Sequence, residues 1–128
     1  MRRTLFLLAC LTLTGCQTAA PAAKAVYLSA DGSVRAADHA GGMSEGAMIA
    51  LADRAALEYQ QLRVLFATDA GRLTVNVRPD GLGRHFPPAA IRIPAETVCR
   101  GTAITAHEIA HLLTQGWASA VLKEGLAV

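Results

Sequence analysis

No stretch of this 128-residue chain is apolar for long enough to cross a membrane. The longest such run, Leu5 to Leu13, falls well short of the roughly 20 residues that a bilayer-spanning helix needs. Cysteine is also scarce, with only Cys10, Cys16 and Cys99 present. The first two lie in or just behind that N-terminal apolar run, so Cys99 is the one thiol in the body of the chain. This excludes both a disulfide framework and a cysteine-built zinc knuckle. Cys99 itself is expected to be a small buried hydrophobe. A surplus of one charge is lacking too. Arg2 and Arg3 account for the whole excess of 12 Lys and Arg over 10 Asp and Glu. The remainder is balanced and carries no electrostatic footprint for nucleic acid. No internal repeat and no block of like charge appears, and the length fits one domain.

What stands at the N-terminus is informative. Arg2 and Arg3, the apolar run and the small residues before Cys16 have the layout of a secretory signal peptide. Leu13-Thr14-Gly15-Cys16 resembles the bacterial lipobox, in which the cysteine is acylated and becomes the first mature residue. The resemblance implies that residues 1–15 are removed and that Cys16 carries lipid. Gln17, rather than an aspartate, follows it, which resembles lipoproteins sent to the outer membrane, here on its periplasmic face. Residues 17–25, small and proline-containing, read as a flexible tether. Residues 16–43 would thus hold the lipidated terminus, the tether and a short hairpin, and residues 44–128 the folded domain.

The hairpin expectation rests on Asp31-Gly32 between two short apolar-containing runs. Residues 44–67 form the clearest helix, with Ser44 as N-cap. Met48, Leu51, Ala52, Ala55, Tyr59, Leu62 and Phe66 recur along one face. Leu73, Val75 and Val77 alternate with Thr74, Asn76 and Arg78, as in a half-buried strand closed by a Pro79-Asp80-Gly81 turn. Leu82 to Pro88 reads as a loop. Ile91 and Ile93 mark a second short strand, and Pro94, which cannot donate to a ladder, places it at a sheet edge. A last helix is expected from about Thr102, capped by that residue, with Ile104, Ile109, Leu112 and Leu113 as its apolar contacts and Gly116 as its stop. A further short helix near Ser119 would carry Glu124.

That last helix contains the pentapeptide HEIAH, residues 107–111. Residues four apart on a helix are about 40° apart around its axis and one turn apart along it. His107 and His111 can therefore turn both imidazoles to one metal ion. Glu108, about 100° round from His107, is placed to reach a water beside the metal rather than the metal itself, and to act as a general base. With 4 histidines in 128 residues, chance supplies only about 0.005 such patterns. A catalytic zinc ordinarily has three protein ligands. The metzincin extension would require glycine and histidine where Thr114 and Trp117 stand, so that branch fails. A glutamate from a following helix is the other common solution, and Glu124 is available.

The segment AHEIAHLLTQGWASAVLKEGLAV, residues 106–128, resembles the gluzincin metallopeptidases, thermolysin-like in their catalytic half. The likeness is strong over the last 23 residues and weak from residue 44 to there. It implies an α+β, zincin-like fold, with a long N-terminal helix, a small mixed sheet with an edge strand, and the HExxH helix followed by a short helix bearing the third ligand. It implies Zn2+ held by His107, His111 and Glu124, with Glu108 as the catalytic base and a peptide or protein as substrate. Val121 departs from the tryptophan often found three places before the zinc glutamate. Members usually add a tyrosine or histidine that stabilises the oxyanion, often from C-terminal sequence. Nothing follows Val128, so the chain is expected to stop short of the full family pattern. Tyr27, Tyr59, His39 and His85 are candidates that no spacing distinguishes, and both histidines read as exposed loop residues. The sequence thus points to a lipid-anchored zinc metallopeptidase. The competing readings are an envelope lipoprotein that binds zinc without turnover, and one with no metal.

Overall fold

The computed structural model describes residues 23–115. The signal segment, Cys16, Gly116 and Glu124 lie outside the described residues. The fold within them is mixed α+β, with a small mixed sheet and three helices. In chain order the elements are β1 (Ala25–Leu28), β2 (Val34–Asp38), α1 (Glu45–Phe66), β3 (Leu73–Arg78), β4 (Arg84–Phe86), β5 (Ala90–Pro94), α2 (Ala95–Cys99) and α3 (Thr105–Leu113).

The hairpin forms where the Asp31-Gly32 pair predicts it. Gly32 takes φ 73°, a left-handed conformation that costs glycine little. The Asp31 carboxylate accepts hydrogen bonds from the Ser33 amide at 3.0 Å and the Ser29 hydroxyl at 2.7 Å. From β2 the chain enters α1, capped by Ser44, whose Oγ accepts from the Ala47 amide at 3.2 Å. Met48, Leu51, Ala52, Ala55, Ala56 and Tyr59 are buried along one stripe, and Leu62 and Phe66 pack partly against the same core. The helix ends at Ala67, whose left-handed turn (φ 49°) returns its N–H to the Arg63 and Val64 carbonyls.

The helix allows β3 to return parallel to β2, because parallel neighbours need a crossover connection. Sheet order is β1-β2-β3-β5-β4, with β2, β3 and β5 parallel and β1 and β4 antiparallel to their neighbours. Leu73, Val75 and Val77 are fully buried while Thr74, Asn76 and Arg78 are half-buried, as the alternation requires. One face of the sheet (Val34, Ala36, Leu73, Val75, Val77, Ile91, Ile93) meets α1 and the Ile109, Leu112 and Leu113 side of α3 in a single core. Each fully buried Leu, Ile or Met there contributes about 1.5–3 kcal/mol.

Five expectations are corrected. The strand containing Ile91 and Ile93 is not an edge: β5 lies between β3 and β4. Pro94 is its last residue and the N-cap of α2, so its missing N–H interrupts no ladder. The edge on that side is β4, within the segment read as a loop. The last helix begins at Thr105 rather than Thr102; its N-cap is Ile104 and it has no side-chain cap. Ile104 is exposed, not a core contact. Cys99 is exposed as well, because α2 buries none of its residues. Its thiol lies 3.7 Å from the Met43 sulfur.

Candidate metal centre

The start of α3 is anchored from α1. Thr105 is fully buried, and its hydroxyl donates to the Glu58 carboxylate, which also pairs with Arg54 at 3.0 Å. Ile109, Ala110, Leu112 and Leu113 then pack inward. At 3.6 residues per turn this fixes the azimuth of the helix and turns His107 and His111 to the opposite side. Thr114 ends the helix, its hydroxyl and amide both bonding to the Ala110 carbonyl.

The two histidines come together as their spacing predicts. Their Nε2 atoms are 3.2 Å apart, and the rings meet edge to face at 79°. Two nitrogens bound to one tetrahedral zinc, each about 2.0–2.1 Å from it, are separated by about 3.3 Å. The separation of the two nitrogens is thus close to the one that a shared zinc ion would set. Glu124, the expected third ligand, lies outside the described residues. Among the described residues, no group of three or more His, Cys, Asp or Glu side chains is arranged to hold a metal.

Glu108 is buried on the same helix, and its carboxylate reaches a cleft of 380 Å³ lined by Gly83, Arg84, His85, His107, Glu108, His111 and Gln115. A second cleft of 360 Å³ adjoins it, shares His107 and Glu108, and is walled by Leu82, Ile93, Pro94 and Ile104. One side of the candidate site is thus polar and the other apolar.

His85 is the residue that sequence reasoning misplaced. It is not an exposed loop histidine. It pairs with Ile91 across β4 and β5, so it shares the face of the sheet that α3 covers, whereas Arg84 and Phe86 share the other face with Arg92 and Ala90. Its ring stacks on His111 at 5.1 Å and 15°, and its Nδ1 lies 3.6 Å from Glu108 Oε2. An imidazole ligand donates in the plane of its ring. Rings stacked face to face do not aim their ring nitrogens at one shared position, so this arrangement leaves His85 beside the His107–His111 pair rather than as a third member of it. The only sequence signal was a single alternation over three residues, too short to separate a strand from a loop.

The other oxyanion candidates lie elsewhere. The Tyr59 hydroxyl donates toward the Gly71 carbonyl at 2.7 Å and accepts from the Ala70 amide at 3.0 Å. Burial raises its pKa, the largest influence on that group. Tyr27 lies on β1, at the far edge of the sheet from β4. His39 is half-buried rather than exposed and bonds the Asn76 side chain at 2.9 Å.

In comparisons with known proteins, no family model, no curated sequence and no solved structure matches the chain.

Proposed function

We propose that this chain is a zinc-dependent metalloendopeptidase of zincin-like architecture, tethered at the bacterial cell envelope. The observation that carries the reading is the 3.2 Å approach of the His107 and His111 Nε2 atoms beside the buried carboxylate of Glu108. His107 and His111 would hold the ion, with Glu124 as third ligand on the gluzincin resemblance. Zinc, when bound, supplies Lewis acidity and lowers the pKa of an adjoining water toward about 7. Glu108 takes a proton from water in the cleft and returns it to the leaving amine. The outer edge of β4 offers backbone groups for an extended peptide by strand addition. The apolar cleft walled by Leu82, Ile93 and Ile104 suits a side chain of that peptide. Among the described residues no helix is long and apolar enough to cross a membrane. Attachment is assigned instead to an acylated Cys16, and stable anchoring would take two or more acyl chains.

The purified chain should bind about one zinc ion and cleave an unstructured protein substrate. Glu108→Gln should keep the zinc and lose about 10²-fold or more of the hydrolysis. His107→Ala or His111→Ala should lose stoichiometric zinc, and Glu124→Ala should weaken it by about tenfold or more. Zinc bound without any hydrolysis would favour the second reading, a metal-holding structural lipoprotein. Full zinc occupancy in both histidine variants would reject both readings.

A further inference from the structure

We propose that Gly83 and His85, on either side of Arg84 at the start of β4, together form a cradle that positions the carboxylate of Glu108. The proposal builds on the reading of Glu108 as general base, but its geometry stands apart from any metal.

A glutamate side chain has three rotatable bonds, and a base works only where its oxygen is held. Among the described residues no side chain is within hydrogen-bond distance of the Glu108 carboxylate, and its nearest basic neighbour is His85, with Nδ1 3.6 Å from Oε2. The other oxygen meets a different constraint. A Cβ placed on Gly83 would lie 3.0 Å from Glu108 Oε1, 3.6 Å from Cδ and 3.7 Å from Cγ. The first distance is tighter than most real Cβ contacts, so the carboxylate would have to shift by a few tenths of an ångström, and the other two are ordinary contact. The glycine is not required by a turn: Gly81, at φ 89°, does that work two residues earlier, and Gly83 does not have a positive φ. What Gly83 supplies is room. A backbone without a side chain lies against Oε1, and an imidazole stands beside Oε2. Both come from one segment: Gly83 immediately precedes β4, and His85 is the middle residue of that strand.

His85 is itself held in place. Its ring stacks on His111, and its strand is registered to β5 through Ile91, a fully buried residue. Gly83 and His85 are therefore positioning residues. They touch the base and act through it. His85 lies in the edge strand β4 and Gly83 directly precedes it, so the peptide-pairing edge and the support of the base are one piece of chain.

The experiment uses the full chain with Gly83→Ala, His85→Leu and His85→Asn, the last keeping an amide nitrogen near the former Nδ1. Three readouts separate the outcomes: the carboxyl carbon resonance of Glu108 in metal-free protein, assigned by its loss in Glu108→Gln; zinc stoichiometry; and kcat against KM on a peptide. Gly83→Ala and His85→Leu should each shift the Glu108 resonance and retain zinc. Each should also lower kcat by about tenfold, the scale expected when a catalytic group is misplaced by a fraction of an ångström, with KM little changed. His85→Asn should recover part of both the resonance position and kcat. A Glu108 resonance that does not move in Gly83→Ala and His85→Leu overturns the cradle, as does loss of zinc in His85→Leu, which would make His85 a ligand. If wild type cleaves nothing, the peptidase reading fails while the metal-free resonance still decides the cradle. If Gly83→Ala does not fold, the comparison of His85→Leu with His85→Asn decides it.

Discussion

Replacing Thr105 with valine tests how α3 is held in place. Valine keeps the branched shape of the side chain, so the fully buried site loses no packing volume and only the hydroxyl disappears. That hydroxyl donates to the Glu58 carboxylate. Hydrogen bonds to charged groups are worth about 1.5–3 kcal/mol. The Glu58 side chain is 19% exposed and keeps Arg54 at 3.0 Å, so water and the guanidinium soften the loss and place it at the lower end, about 1.5 kcal/mol. At roughly 4–8 °C per kcal/mol for a domain of this size, the melting temperature should fall by about 6–12 °C. Urea unfolding should show a lower midpoint with an unchanged slope. Glu58→Gln retains an acceptor and should cost less, and the double variant should be non-additive because the two groups share one bond. A Thr105→Val protein within about 0.5 kcal/mol of wild type, or strict additivity, would refute the anchor.

Tyr59→Phe strips the partner from the Ala70 amide and the Gly71 carbonyl. It should cost about 1–2 kcal/mol in denaturant unfolding and leave zinc binding unaltered; an equal loss of zinc would show that Tyr59 acts at the site. Asp31 has its pKa lowered from 3.8 to about 2, chiefly by the Ser33 amide and then by the Ser29 and Ser33 hydroxyls and Gln60. A depressed carboxylate stabilises fully above its unfolded pKa, and that stability drains as pH falls through the folded value. Stability should therefore drop between pH 3.8 and about 2, and less steeply in Asp31→Asn. Cys16→Ser should move the protein from the membrane fraction to the soluble one, and its retention in membranes would count against acylation.

Long elements were legible in the sequence because many residues vote on their period. The stripe from Met48 to Tyr59 and the Leu73–Val77 alternation each repeat a pattern that burial enforces. The Asp31-Gly32 turn was legible because few residues accept φ 73°. Elements of three to five residues were not. β4 offers a single alternation, and α2 is a short helix that buries none of its residues. Pro94 misled because a missing N–H is tolerated at the end of a strand as well as on an edge. Of the candidate site, the pair His107 and His111 and the adjoining Glu108 follow from helical spacing alone. His85 and Gly83 are 22 and 25 positions before His107 and Glu108, and only the β4–β5 register brings them to the cleft.

The brevity of β4 has a consequence for the life of the protein in a crowded compartment. An open sheet edge is a template for runaway self-pairing, and proteins blunt it with short strands, charge and proline. β4 spans three residues, begins with Arg84 and is followed by Pro87 and Pro88, whose nitrogens carry no hydrogen. At about 3.3 Å per residue it offers a rail of only about 10 Å. A second copy of the chain finds too little purchase there to nucleate a fibre, while one transient strand can still dock and leave.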